Sequence, residues 1–273
     1  KLATYTHTDS PHQRTARVMI DVNVNLSRWP FRRLAGDETP LLVAKLRRHG
    51  VTQAWAGTFD GAFHKDLAAA NARLAADCRE YGRDLLVPFG SINPNLPDWH
   101  EDLRRCHEQH KMPGIRLHPN YHGYKLDGIP FRDVLKAAAI RKLIVQLSLC
   151  LEDERTQHPL MRVPPVDIAP LAAAISAEPN LNLVVLNCYP QLPIENLRAI
   201  SSAGRVYFDI SMVEHVGGVT RLAEQVSPAR VLFGSYFPFF YFGSALLKVQ
   251  EAGLSQAEQT AIYETNARRL LAS

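Results

Sequence analysis

The stretch Val18 to Pro30, VMIDVNVNLSRWP, decides the fold. Strand-like alternation runs from Val18 into a polar pair, Asn23 and Asn25, whose spacing of two puts both side chains on one face of a strand. Strict alternation adds Asp21 to that face. If the strand opens a parallel barrel, its C-terminal end is where ligands bind. An Asp-x-His-x-His at this place would be a metal site, and here asparagine stands at both histidine positions.

Working outward, short apolar or β-branched runs alternate with helical patterns of ten to twenty residues. Strands are expected at 18–24, 51–57, 85–92, 114–118, 143–149, 181–187, 205–211 and 230–235. Such alternation marks βα units around a parallel sheet. Thr39-Pro40 opens the first helix and Gly50 follows its end, as helix start and stop signals require. Further helices are expected at 64–81, 99–110, 131–140, 168–177, 195–201, 244–252 and 255–271. Eight strands with helices between them predict a single-domain (β/α)8 TIM barrel over residues 17–273, preceded by a flexible arm at 1–16. The competing doubly wound sheet lacks its G-x-G-x-x-G after the first strand.

The chain of 273 residues is long enough for one sizeable core. Its 46% hydrophobic and 21% charged composition is that of a globular domain, with no apolar run near the ~18 residues of a membrane span. The net charge of +4 is spread too thinly for a nucleic-acid footprint. No membrane or nucleic-acid partner is expected. Four cysteines, Cys78, Cys106, Cys150 and Cys188, show neither C-x-x-C nor zinc spacing, so reduced, buried thiols in a cytoplasmic setting are expected. Because the chain begins at Lys1 and not Met, an export signal upstream stays open.

Four ordered stretches resemble the amidohydrolase-related branch of the amidohydrolase superfamily: IDVNVN at 20–25, GIRLHP at 114–119, LVVLNCYP at 183–190, and RVLFGSYFP at 230–238 followed by NARRLL at 266–271. The resemblance covers nearly the whole chain. It implies a metal held by an HxH on the first strand, histidines on the fifth and sixth, and an aspartate on the eighth. This sequence departs at each place: Asn23 and Asn25, Gln146, Asn187 or Cys188, and Tyr236. Amide oxygens are poor zinc ligands beside imidazole, thiolate and carboxylate. No cofactor is therefore expected, with one opening left for a divalent metal recruited elsewhere by the histidines near the fourth strand.

Without a metal to lower the pKa of water toward ~7, hydrolysis falls to side-chain acid/base groups. Asp21 is the candidate base, with His118 and Tyr236 beside it as catalytic candidates; Asp21 can equally be a structural hydrogen-bonder. Asn23, Asn25, Arg28, Arg116, Asn120, Tyr121, His122, Gln146 and Asn187 are candidate substrate contacts. Arg116 and His118 share a face of the fourth strand and suit a carboxylate or sugar hydroxyls. A small, anionic substrate follows, such as a carboxylated or sugar-derived ester or lactone. Decarboxylation is the second enzymatic reading, and a metabolite-binding or scaffold pseudoenzyme is the rival. The aromatic run from Tyr236 to Phe242 either faces a ligand or closes a homo-oligomer contact.

Overall fold

The computed structural model describes residues 18–188 and 192–272, so the predicted arm at 1–16 lies outside the described residues. Eight parallel strands follow one another in chain order: β1 (Ile20–Leu26), β2 (Gln53–Thr58), β3 (Leu86–Ser91), β4 (Gly114–Leu117), β5 (Ile144–Ser148), β6 (Asn182–Leu186), β7 (Arg205–Asp209) and β8 (Val231–Leu232). The segment after β8 closes the ring onto β1: Val22 N donates to Phe233 O, and Tyr236 N donates to Asn23 O at 2.8 Å. The fold is the (β/α)8 barrel that the alternation predicts.

The strands alternate with helices, and these shield the outside of the barrel. Val24 and Leu26 join Leu42 and Leu46 of the helix Thr39–Arg48 in the large outer core. A second cluster fills the lower barrel, where Ile20, Val22, Trp55, Phe89, Val184 and Leu232 meet Ala267 and Leu270 of the closing helix. Layered apolar filling of this kind makes a barrel interior a packed core.

Two elements differ from the sequence reading. β8 is only two residues long, because Phe233 N turns away to bond Ile262 O in the closing helices and Tyr236 takes a left-handed φ of 57°. A helix at Gly218–Val226 lies between β7 and β8, where no helix is expected from the sequence. Its Val219, Leu222, Ala223 and Val226 form a buried stripe at helical spacing, and Gly217 and Gly218 blur its start.

Candidate functional site

The site begins with an irregularity in β1. Asp21 pairs with Ala54 and Val24 with Ala56, so three β1 residues span two of β2. A bulge of one residue reverses the side-chain parity beyond it. Ile20 and Val22 point inward below the bulge, whereas Val24 and Leu26 pack outward above it. Asn23 and Asn25 consequently face the barrel interior. Asp21 does not share their face, and the expectation that all three point one way is corrected. Its carboxylate bonds into the β1–β8 seam, accepting from Ser235 N at 3.0 Å, Ser235 Oγ at 2.5 Å and Asn23 N at 3.1 Å.

Inside the barrel the predicted ligand-facing residues contact one another. Asn23 Nδ2 donates to Asn187 Oδ1 and to Asp209 Oδ2, both at 2.7 Å. Asn187 N donates to Asp209 Oδ1, and Asn187 Nδ2 donates to Cys150 O at 2.6 Å. Asn25 Oδ1 accepts from Arg116 Nη1 at 2.8 Å, and Gln146 Oε1 accepts from Arg116 Nε at 2.9 Å. Gln146 Nε2 donates in turn to Val22 O. Each of these side chains is at most 1% exposed. At the β6 end Asn187 is the inward residue, in a left-handed φ of 56°, while Cys188 joins the outer core.

The remaining charge is buried as well. Arg116 lies against Gly57, where a Cβ would stand 2.5 Å from Nη1. Burial lowers its pKa to about 10. Burial pushes the Asp21 carboxyl up to about 7 against the hydrogen bonds that favour its ionised form, and raises Asp209 as well. His118 is held neutral, well below the usual imidazole range, by burial and by His122 and Arg116 nearby. His122 is lowered to about 4, again mainly by burial, and its Nε2 meets Gly61 O at 3.0 Å.

An aromatic cap closes the mouth. Trp29, Phe59, Cys150, Leu151, Met212 and Tyr236 form a buried cluster, with Tyr121, Phe63, Phe239 and Phe240 packed against it. Trp29 makes edge contacts with Phe59, Phe63 and Phe239 at centroid separations of 5.2–5.4 Å. Tyr236 OH donates to Leu151 O at 2.6 Å, which ties the strand-eight position to the loop after β5. A cleft of about 430 Å³ lies between the loops after β4 and β5, lined by Pro119, Tyr124, Leu126 and Pro164 and by none of the inward asparagines.

Other predicted site residues lie apart from this network. Arg28, expected as a substrate contact, pairs with Glu38 on an exposed edge, and Arg32 beside it pairs with the buried Glu152. Asn120 spends its amide donors on Pro164 O and Leu149 O, bridging two loops. Tyr121 packs edge-on to Phe63. The sequence reading missed Ser148, Ser211 and Ser235 as members of the network; small hydroxyl residues at strand ends carry no signal of their own.

These donors do not fit a divalent metal. Asn23 bonds Asn187 and Asp209, Asn25 and Gln146 hold Arg116, and Tyr236 holds a carbonyl. Among the described residues no group of three or more His, Cys, Asp or Glu side chains is arranged to hold an ion. His118 and His122, with rings 5.9 Å apart, stay two ligands short of a tetrahedral site.

Residues 26–272 match the amidohydrolase family model, and the chain belongs to that family. The match begins just past the asparagine pair. The structure is similar to 2,6-dihydroxybenzoate decarboxylase from Rhizobium, with a TM-score of 0.68 at 14% identity over 94% of this chain and 98% of that one. It is also similar to 5-carboxyvanillate decarboxylase from Novosphingobium aromaticivorans, solved with manganese and a nitrobenzoic acid, with a TM-score of 0.72 at 13% identity over 94% and 96%. A third is dihydroxybenzoic acid decarboxylase from Polaromonas sp. JS666, with bound manganese and 2-nitroresorcinol, at 0.69 and 13% over 94% and 97%. At such identities the likeness is one of fold. No curated protein matches the sequence.

Proposed function

We propose that this chain is a metal-free amidohydrolase barrel that binds a small molecule without turning it over. One observation carries the reading: the side chains at the family's ligand positions are engaged by hydrogen bonds within the chain, with Asn23 Oδ1 and Asn25 Nδ2 left over. Asn23 bonds Asn187 and Asp209, while Asn25 and Gln146 bond Arg116. A metal would have to break these bonds and would gain neutral amide oxygens at these positions, with Asp209 the carboxylate among their partners. The aromatic cap over the strand ends agrees with a binding role, since bulk water is kept from the centre.

The second reading is metal-independent hydrolysis of a small carboxylated or sugar-derived ester or lactone, with Asp21 as base. Its support is the Asp21 pKa of about 7, which suits a general base near neutrality. Against it, both Asp21 oxygens are engaged with Ser235 or Asn23 N. Decarboxylation, the activity in the names of the similar structures, would need a group to take up the electrons that the carbon releases, and the neutral amides here offer no metal for that role.

Elemental analysis of protein purified without chelator, run beside a lactone and ester screen, tests both readings. The binding reading predicts substoichiometric metal and no turnover above buffer. Stoichiometric manganese, zinc or iron would refute the metal-free assignment and direct attention to His118 and His122. Metal-free turnover abolished by Asp21→Asn would establish the second reading instead.

A further inference from the structure

A concentration of unpaired charge lies away from the barrel centre. A cleft of about 490 Å³ opens between the loop after β2 and the loop after β3, and none of the inward polar side chains lines it. One wall comes from residues 65–68, at the start of the helix Leu67–Gly82, and the other from residues 96–105, which include the helix Trp99–Arg104. Its size is that of a small-molecule site.

Asp102 decides what the cleft can hold. It lines the cleft, is only 9% exposed, and its carboxylate takes no hydrogen bond or ion pair among the described residues. Burial raises its pKa; Arg105 lowers it, and the like charges of Asp66, Asp98 and Glu101 raise it again. Arg105 gives its Nε to Glu101 at 2.8 Å. Lys65 joins no ion pair among the described residues, and Asp98 stands before the helix Trp99–Arg104 without capping it. Asp66 spends Oδ1 on Ala69 N at 2.9 Å.

With Glu101 and Arg105 set against each other, three carboxylates face one ammonium in the cleft. A mostly buried carboxylate without a partner is costly unless a cation joins it. The acidic groups do not converge on a point, since among the described residues no three or more His, Cys, Asp or Glu side chains are arranged to hold an ion. The excess charge is instead spread along the cleft, with Leu67, Leu96 and Pro97 beside it. Two separated cations joined by an apolar chain match that pattern. We propose that the cleft binds a short aliphatic diamine, with one ammonium on Asp102 and the other on Asp66 of the opposite wall. Its methylenes lie along Leu67, Leu96 and Pro97, and the exposed Asp98 adds charge at the rim. The site is independent of the strand-end centre and of the function proposed for it.

Isothermal titration calorimetry at pH 8 and low salt tests this with 1,4-diaminobutane, against n-butylamine, 1,4-butanediol and sodium chloride at matched ionic strength. The diamine should bind with a Kd of about 1 mM or below, the monoamine about tenfold more weakly, and the diol and the salt not at all. Asp102→Asn keeps the shape and removes the buried charge, so diamine affinity should fall about tenfold or more. Asp66→Asn keeps the helix cap, because asparagine caps as well as aspartate, and should bring the diamine down to the affinity of the monoamine. That variant is the check if Asp102→Asn folds poorly. Asp133→Asn, at an exposed carboxylate on the helix Ile129–Ile140 outside the cleft, should change nothing. No saturable diamine binding, a diamine held no tighter than the monoamine, undiminished binding in both cleft variants, or equal weakening by Asp133→Asn overturns the proposal.

Discussion

Asp21→Asn should reverse the sign of its effect on stability between pH 4 and pH 8. The wild-type carboxyl is fully buried and titrates near 7 in the folded protein, against 3.8 for the free group. Its folded pKa is raised, so the native state holds this proton more tightly than the unfolded chain does. Stability from this group is therefore fully present below pH ~4 and lost as pH rises toward 7. A gap of about 3 pK units at ~1.4 kcal/mol each sets an upper figure of about 4 kcal/mol for that loss, and relaxation around the ionised group brings it nearer ~2–3. Asparagine cannot ionise and escapes this loss. Its amide, however, donates where Oδ2 accepted, so the Ser235 hydroxyl, which already accepts from Phe237 N, loses the acceptor for its hydrogen. That costs about 1–2 kcal/mol at every pH. The variant should be less stable than wild type by about 1 kcal/mol at pH 4, level with it near pH 5 and more stable by about 1 at pH 8. Urea unfolding of both proteins at pH 4, 5, 6 and 8 reads this directly, because the other titrating groups contribute alike and cancel in the difference. Two parallel stability curves, offset by a constant amount, would refute a buried carboxyl titrating near neutrality.

Three further outcomes follow from neighbouring groups. His122 has the opposite sign to Asp21: its lowered pKa of about 4 means stability is lost as pH falls below ~6.5, and an imidazole NMR titration should find the ring neutral down to pH 5. Gly57→Ala puts a Cβ 2.5 Å from the Arg116 guanidinium, which is pinned by four acceptors, and should cost about 1–3 kcal/mol in urea unfolding. Unchanged stability there would mean that Arg116 is free to move. Arg32→Ala leaves Glu152, 4% exposed, without the cation that clasps loop one to loop five. It should lower stability by about 1–3 kcal/mol and speed thiol-reagent labelling of the buried Cys150, counted by mass spectrometry.

The barrel was legible because its evidence is repeated eight times: an apolar run, a helix with its start and stop signals, then another run, so a missed helix at Gly218–Val226 did not disturb the count. The site was legible as a set of inward polar residues, Asn23, Asn25, Arg116, Gln146 and Asn187, since each lies in or just past a strand whose other residues are mostly apolar. What could not be read was which way Asp21 turns. A one-residue bulge leaves the alternation of IDVNVN intact on paper while reversing it in space, and the bulge is set by pairing with Ala54 and Ala56, some thirty residues away. The cap was illegible for a related reason. Trp29, Phe59 and Phe239 come from three different loops, and only the closed ring brings them together. Both features bear on the same question, because the bulge takes the one strand-one carboxylate out of the interior and the cap takes water away from it. On the metal-free reading proposed above, both features keep the ingredients of metal-assisted hydrolysis away from the barrel centre. On that reading, placing histidine at positions 23 and 25 alone should not create metal binding while Gln146, Asn187 and Tyr236 keep their present partners. Elemental analysis of Asn23→His/Asn25→His protein checks this, and stoichiometric metal in that variant would show that two histidines suffice.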